Sequence, residues 1–267
     1  MEIAGKDALL TEINDSLMSA LGGLVAEEIL PAVEMPPFTS GPCRDPSRGD
    51  YTSNCAMAAA ASANMSADVI ARELVSRISL DGSCFSKCAS SGGYINFTLS
   101  PRWYCSVIEG VLRRDGCFAP ASVKDIPQNL SDADCEAANK SLFDVVSLPQ
   151  RIRALLDSLS DYGVDSDKAS RSFNVTLAAL LSTNEEKLLI KHLIMYPEAA
   201  KSGTNTLLMS YCGRLSMLYG SFANACPVRN TPPDIMNARA ALCTAVYNIA
   251  SAAVSSLKLD TKQNERN

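Results

Sequence analysis

The sequence predicts an α+β domain, a small antiparallel sheet with helices, followed by an all-α helical bundle. Three observations indicate this fold class. One short segment near residue 95 alternates apolar and polar side chains, which is typical of a strand. Apolar residues elsewhere recur at three- and four-residue steps, which is typical of amphipathic helices. No alternating segment occurs after about residue 150, so we expect domains at 1–130 and 131–267, the second one entirely helical.

The first domain begins with a predicted helix. Its apolar residues recur on one side, at Leu10, Ile13, Leu17, Leu21 and Leu24. An alanine-rich segment and two periodic segments predict three further helices, over 56–63, 67–78 and 103–112.

The clearest strand signal is the segment 94–99, which follows two glycines and precedes Pro101. Because successive side chains of a strand point to opposite faces, one face carries Ile95, Phe97 and Leu99, and we assign it to the core. The opposite face carries Tyr94, Asn96 and Thr98.

The second domain is predicted to contain helices over 148–159, 173–181, 185–196, 207–222 and 234–257. The third of these follows Ser182-Thr183-Asn184, whose side chains suit a helix N-terminus, and its first turn holds Glu185 and Glu186. We expect Pro197 to end it.

Composition excludes several classes of protein. The 267 residues are 47% apolar and 20% charged, as in soluble globular chains, and no apolar run is long enough for a membrane span, so we expect a cytoplasmic protein. Ten cysteines include no C-x-x-C pair, and His192 is the single histidine. We therefore expect neither a metal site nor a cofactor, and no catalytic triad.

Charge is unevenly distributed along the chain. Residues 1–130 carry ten basic and fifteen acidic side chains, a net charge of −5. Residues 168–258 carry nine basic and four acidic side chains, a net charge of +5. A locally basic segment of an acidic protein can bind a phosphate backbone, although solvated helix faces explain the same charges equally well.

Two regions of the chain resemble arginyl-tRNA synthetases, in the order that this family uses. The segment 49–57 reads G-D-Y-T-S-N-C-A-M and the segment 92–99 reads G-G-Y-I-N-F-T-L, which resembles the family's N-terminal additional domain. Within 173–259, the segments 180–190, 196–198, 226–228 and 238–242 resemble the DALR anticodon-binding domain. The resemblance implies an anticodon-binding type of helical bundle in the second half.

The family's catalytic domain has no counterpart between these segments. The 73 residues from 100 to 172 that separate them are too few for a nucleotide-binding α/β domain. The family's H-I-G-H motif needs two histidines, and no K-M-S-K-S-like string occurs. We therefore expect no aminoacylation by this chain alone.

The resemblance implies site residues in both domains. The strand residues Tyr94 and Asn96 would contact the tRNA D-loop by stacking and hydrogen bonding, and a packing role for both is the alternative. Tyr211, Arg214 and Arg239 are assigned to the anticodon arm, against a core tyrosine and solvated arginines as the alternative. Lys187 and Lys191 would contact phosphates, although ordinary surface exposure explains them too. Asp50 and Asn54 are expected to hold turns.

Three functions remain open at this point. The first is a non-catalytic tRNA-binding protein, preferring arginine tRNA, that could serve a tRNA-modifying enzyme. The second is an accessory part of a split arginine–tRNA ligase that acts with a separate catalytic subunit. The third is a protein-interaction module without RNA binding, which is favoured by the net charge of −5 and by the lack of lysine in 60–64.

Overall fold

The structure, a computed structural model, describes residues 5–32, 37–113, 118, 132–202 and 205–257, with the side chains of 132–142 and 205 left aside. The chain divides into two compact units, residues 1–103 (unit 1) and residues 104–267 (unit 2). The predicted domain boundary at 130–131 lies outside the described residues.

The described residues of unit 1 form three helices and four strands, apart from a helix that begins near its end. They are α1 (Lys6–Ala26), β1 (Ser40–Pro42), β2 (Tyr51–Ser53), α2 (Cys55–Ala63), α3 (Ala67–Arg77), β3 (Phe85–Ser91) and β4 (Tyr94–Leu99). A further helix, α4 (Pro101–Leu112), begins in unit 1 and continues into unit 2. The predicted helices and the strand 94–99 are confirmed, whereas the three other strands were not predicted.

The strands form one antiparallel sheet in the order β1-β2-β4-β3. The predicted core face of β4 is confirmed, because Ile95, Phe97 and Leu99 are at most 3% exposed. Tyr51 and Phe85 lie opposite Phe97 and Leu99 on the neighbouring strands and are also buried. Helices α2 and α3 contact β4, so β4 is the central strand of a two-layer unit.

Every regular element that the structure describes in unit 2 is a helix. After α5 (Asp132–Ser158) and a short 3₁₀ turn (Leu159–Tyr162) come α6 (Ser166–Arg171), α7 (Val175–Leu180), α8 (Asn184–Leu193), α9 (Tyr196–Lys201), α10 (Asn205–Ala225) and α11 (Pro233–Ser256). The predicted helical bundle is confirmed. Pro197 lies in the first turn of α9, where proline is well tolerated, so its predicted role as a helix end is wrong.

Helix α11 is the centre of this bundle. It contacts α5, α6, α7, α8 and α10. Many of its buried side chains are small, including Ala238, Ala241, Ala245 and Ala253. Because small side chains let neighbouring backbones approach closely, α11 can be surrounded on several sides without leaving voids.

Candidate nucleic-acid interface

The open face of the unit 1 sheet carries the first predicted pair of site residues. On β4, Tyr94 lies opposite Ser91, and Asn96 lies between Thr52 and Ala89 on the neighbouring strands. This face is opposite to the buried apolar face, as the alternation predicts. Tyr94 is 41% exposed, whereas Asn96 is 4% exposed. The structure therefore presents the phenol ring to solvent but keeps most of the amide inside the sheet.

The burial of Asn96 has a local cause in the backbone at Gly49. A Cβ atom on Gly49 would lie 3.5 Å from the Asn96 Cβ and 2.9 Å from the Phe97 carbonyl oxygen. Gly49 has φ +147°, a conformation that is nearly restricted to glycine. Only glycine therefore lets this loop lie against β4, and the loop shields Asn96.

Two other residues of the 49–57 segment have a structural role, as expected, but their bonds hold the sheet together rather than a turn. The Asp50 Oδ2 atom accepts a hydrogen bond of 2.8 Å from the Leu99 amide, and the Asp50 amide donates to the Phe97 carbonyl at 2.8 Å. The Asn54 Oδ1 atom accepts a bond of 2.7 Å from the Thr39 amide, beside β1. Asp50, which precedes β2, is thus bonded to the end of β4, and Asn54, which follows β2, is bonded to the residue before β1.

In unit 2, the predicted residue Tyr211 lies inside an aromatic cluster between α8, α9 and α10. Its ring stacks on His192 with a centroid distance of 4.4 Å and an interplanar angle of 11°, and Tyr196 lies 5.6 Å away. Tyr211 is 6% exposed, and its hydroxyl is buried without a hydrogen-bond partner. Burial raises the pKa of Tyr211 well above its usual value. The resemblance assigned this ring to the anticodon arm, with a core position as the alternative. The packing of α8 against α10 places the ring in the interior.

His192 joins this cluster to the surface. Its Nε2 atom lies 3.1 Å from the Tyr211 carbonyl oxygen. Burial is the main cause that lowers the pKa of His192, and the nearby Arg214 charge lowers it further, while the bond to Tyr211 opposes both. The imidazole is therefore neutral at neutral pH and adds no charge to this surface.

Exposed or half-buried cations lie on the same two helices. Arg214 is exposed, and it is the only charged residue in the sequence of α10. Helix α10 contacts α8, on which Lys187 and Lys191 are half-buried, and the Arg214 charge is one of the causes that lower the pKa of His192 on α8. We call Lys187, Lys191 and Arg214 the α8–α10 cations. Cations on two neighbouring helices can bind a phosphate backbone.

Arg239, the remaining predicted residue, forms an internal ion pair. Its Nε atom lies 2.7 Å from the Glu186 Oε1 atom, and its Nη1 atom donates to the Pro227 carbonyl at 2.7 Å. The Arg239 side chain is 11% exposed and the Glu186 side chain is fully buried. Arg239 is therefore occupied inside the fold rather than presented to a ligand.

The same carboxylate completes the start of α8. Thr183 and Glu186 form a capping box, with the Thr183 amide donating to Glu186 Oε2 at 2.9 Å. Cys226 Sγ lies 3.1 Å from Thr183 Oγ1. The predicted cap is confirmed, whereas the link from Glu186 to Arg239 was missed. The T-x-x-E spacing indicates the cap, but it gives no sign of a partner 53 residues away.

The described residues also bear on metal sites, reactive thiols and membrane-spanning helices. They contain no group of three or more His, Cys, Asp or Glu side chains that could hold a metal ion. Burial raises the pKa of the Cys55, Cys88 and Cys212 thiols to about 12, so these thiols are protonated at neutral pH. Within the described ranges, helices that combine the length and the apolar character needed to cross a bilayer are absent.

Comparison with known families shows what these two units resemble. Residues 7–99 match the model of the arginyl-tRNA synthetase N-terminal domain, and residues 150–264 match the model of the DALR anticodon-binding domain. The chain is related to arginyl-tRNA synthetases. The two matched ranges leave only residues 100–149 between them.

Individual relatives of this synthetase-related chain are bacterial. Its N-terminal part is 31% identical over 116 residues to the arginine–tRNA ligase of Jannaschia sp. (strain CCS1), which is 43% of this chain and 20% of the relative. The arginine–tRNA ligase of Heliobacterium modesticaldum is 27% identical over 117 residues, or 44% of this chain and 21% of the relative. The aligned part of the chain thus spans about a fifth of the length of these curated relatives.

Proposed function

We propose that this chain is a tRNA-binding protein without aminoacylation activity of its own. Unit 1 contacts the D-loop side of the tRNA and unit 2 contacts the anticodon arm, with arginine tRNA as the preferred ligand. The observation that carries this proposal is the presence of both synthetase-type domains, over residues 7–99 and 150–264, in one chain.

In unit 1, Tyr94 supplies the D-loop contact. An unpaired base can stack on an exposed aromatic ring, and such a stack contributes about 1–3 kcal/mol. Tyr94 is 41% exposed at the first residue of β4, where the ring can be reached. Asn96 lies on the same face but is only 4% exposed, so a base can reach little of its side chain. We expect affinity to depend more on Tyr94 than on Asn96.

In unit 2, the α8–α10 cations supply the contacts to the anticodon arm. Arg214 is exposed beside α8, and its guanidinium can bind phosphates or stack on bases. Lys187 and Lys191 add positive charge on the adjacent helix. Tyr211 and Arg239 act indirectly, because the first packs α10 against His192 and the second fixes the start of α8.

The lack of catalysis is inferred from what the chain can accommodate. Residues 100–149 are too few to form the nucleotide-binding domain that activates an amino acid. His192 is the only histidine of the chain, and it is half-buried and stacked on Tyr211 in unit 2. A ligase assay with ATP, arginine and tRNA is therefore expected to show no charging by this chain alone.

Equilibrium filter binding against a tRNA pool tests the proposal. We expect binding that weakens steeply with salt and that enriches arginine acceptors, because phosphate contacts release counterions. Replacing Arg214 by Gln should lower the salt slope by about 0.7 to 0.9, as expected for one lost phosphate contact. Weak binding to every RNA, insensitive to salt, would overturn the proposal.

A protein-interaction module without RNA binding is the second candidate function. Its support is the net charge of −5 together with two exposed apolar side chains in unit 2, Phe143 at 70% and Met217 at 52%. Contiguous exposed apolar surface can mark a contact site on a soluble protein. Absence of any tRNA binding at low salt, with the chain fully folded, would favour this candidate.

A further inference from the structure

The turn that precedes Tyr94 has a fixed and unusual backbone. Gly92 and Gly93 connect β3 directly to β4, and their φ angles are +57° and +75°. A two-residue hairpin turn with positive φ at both positions follows the natural twist of the strands, and glycine adopts it readily. The conformation of this turn determines the direction in which the chain enters β4 at Tyr94.

A carboxylate from another element holds this turn. The Asp68 Oδ1 atom accepts a hydrogen bond of 2.8 Å from the Gly93 amide, 25 residues along the chain. Asp68 lies in the first turn of α3, where a negative charge is favourable, and Ser66 caps the same helix end. A charged acceptor on a rigid helix terminus therefore fixes the residue immediately before Tyr94.

The turn is also packed closely against two helices. A Cβ atom on Gly93 would lie 2.9 Å from the Ala67 Cβ and 3.2 Å from the Met57 Cγ. No side chain fits there, so α2 and α3 lie directly beneath the turn. The tip of the hairpin can move away from α3 only if the Asp68–Gly93 bond breaks.

We propose that Asp68 is a positioning residue for RNA binding, which acts by holding the Gly92–Gly93 turn so that Tyr94 presents its ring to an unpaired base. This inference rests on the proposed D-loop contact of Tyr94. Asp68 lies at the surface, so the bond to Gly93 stabilises the tip of the hairpin more than the fold of unit 1. Loss of the bond gives Tyr94 several directions, and a base must then select one of them.

A double-mutant cycle on tRNA affinity tests this proposal. Asp68→Ala should weaken binding by about 3- to 10-fold with almost unchanged thermal unfolding, since one charge-assisted bond is lost. Asp68→Asn keeps an acceptor at the same place and should restore affinity to within about twofold of the wild type. In a Tyr94→Ala background, Asp68→Ala should have no further effect, because Asp68 acts through Tyr94.

Asp15→Ala is the control variant for Asp68→Ala. Asp15→Ala removes an exposed carboxylate from α1 and should not weaken binding, so it separates charge from position. Wild-type affinity of Asp68→Ala, or an equal loss in the presence and absence of Tyr94, would overturn the positioning role. Wild-type affinity of Tyr94→Ala would overturn the D-loop contact itself, and the role of Asp68 with it.

Discussion

The two units differ in how far the aromatic residues Tyr94 and Tyr211 are exposed to solvent. In unit 1, Tyr94 stands at the start of β4 with 41% of its surface exposed, next to a turn that has no side chains. In unit 2, Tyr211 is 6% exposed and stacks on His192 at 4.4 Å. A strand at the open face of a sheet can present a ring to solvent, whereas a bundle uses its rings to fill the space between helices.

The arginines of unit 2 show the same contrast within one fold. Arg214 is exposed on α10, while Arg239 on α11 pairs with Glu186 at 2.7 Å. The difference teaches that residue type alone does not identify an RNA contact. Substitutions should therefore separate residues that maintain the fold from residues that contact the ligand.

The largest effect is expected from Arg239→Ala. Removing the guanidinium leaves the carboxylate of Glu186 buried without its ionic partner, which costs about 3–5 kcal/mol in the free energy of unfolding. Urea unfolding measures this loss. Arg214→Ala is the matched control, because an exposed side chain should change stability by no more than about 0.5 kcal/mol. Equal stability of the two variants would remove the distinction between the arginines.

The next largest effect is expected in unit 1, from Gly49→Ala. The new Cβ would meet the Phe97 carbonyl oxygen at 2.9 Å, at a φ of +147° that alanine rarely adopts. We expect a loss of about 1–3 kcal/mol in thermal or urea unfolding, since the loop must move or remain strained. Gly41→Ala in β1 provides the comparison, because nothing lies within 4 Å of its added Cβ. A fully stable Gly49→Ala variant would show that the loop does not depend on glycine.

A smaller change, of opposite sign, is expected from Tyr211→Phe. The hydroxyl of Tyr211 is buried without a hydrogen-bond partner, so its removal should be neutral or should stabilise unit 2 by up to about 1 kcal/mol. The stacking on His192 remains, because phenylalanine keeps the ring. Thermal unfolding measures the change. A clear destabilisation would indicate that the hydroxyl has a partner in solution.

The smallest effect concerns the pH dependence of stability at His192. Burial lowers the pKa of His192 from 6.5 in the folded protein, so below about pH 6.5 the unfolded chain binds this proton more readily. Stability should therefore fall as pH decreases from about 7 to about 5, and His192→Gln should lack this contribution. The comparison is the difference in unfolding free energy between the two proteins across that range. A parallel pH dependence would show that His192 is not buried in the way described.

Most of the helices could be predicted from the sequence, because their apolar residues recur on one side, whereas the six-residue helices α6 and α9 were not predicted. The three-residue spacing of Thr183 and Glu186 is enough to predict the start of α8. Strands β1 and β2 have three residues each, and β3 reads F-S-K-C-A-S-S, so none of them shows alternating hydrophobicity. Their existence follows from pairing with β4, which is a tertiary property.

The site was less predictable than the fold, for reasons that also lie in tertiary structure. Alternation correctly places Asn96 on the open face, but it gives no information on the Gly49 loop that covers it. Helical spacing cannot tell whether α8 lies over Tyr211. The partner of Arg239 is 53 residues distant, so only the folded bundle reveals the ion pair.

The most direct test of the central claim is the affinity of Tyr94→Ala for arginine tRNA, measured beside Tyr211→Phe. The account predicts that the first variant binds about 5- to 150-fold more weakly, the equivalent of one lost stack, with unchanged unfolding. It predicts wild-type affinity for the second variant. Wild-type affinity of a folded Tyr94→Ala protein would contradict the claim that unit 1 binds RNA through its exposed ring.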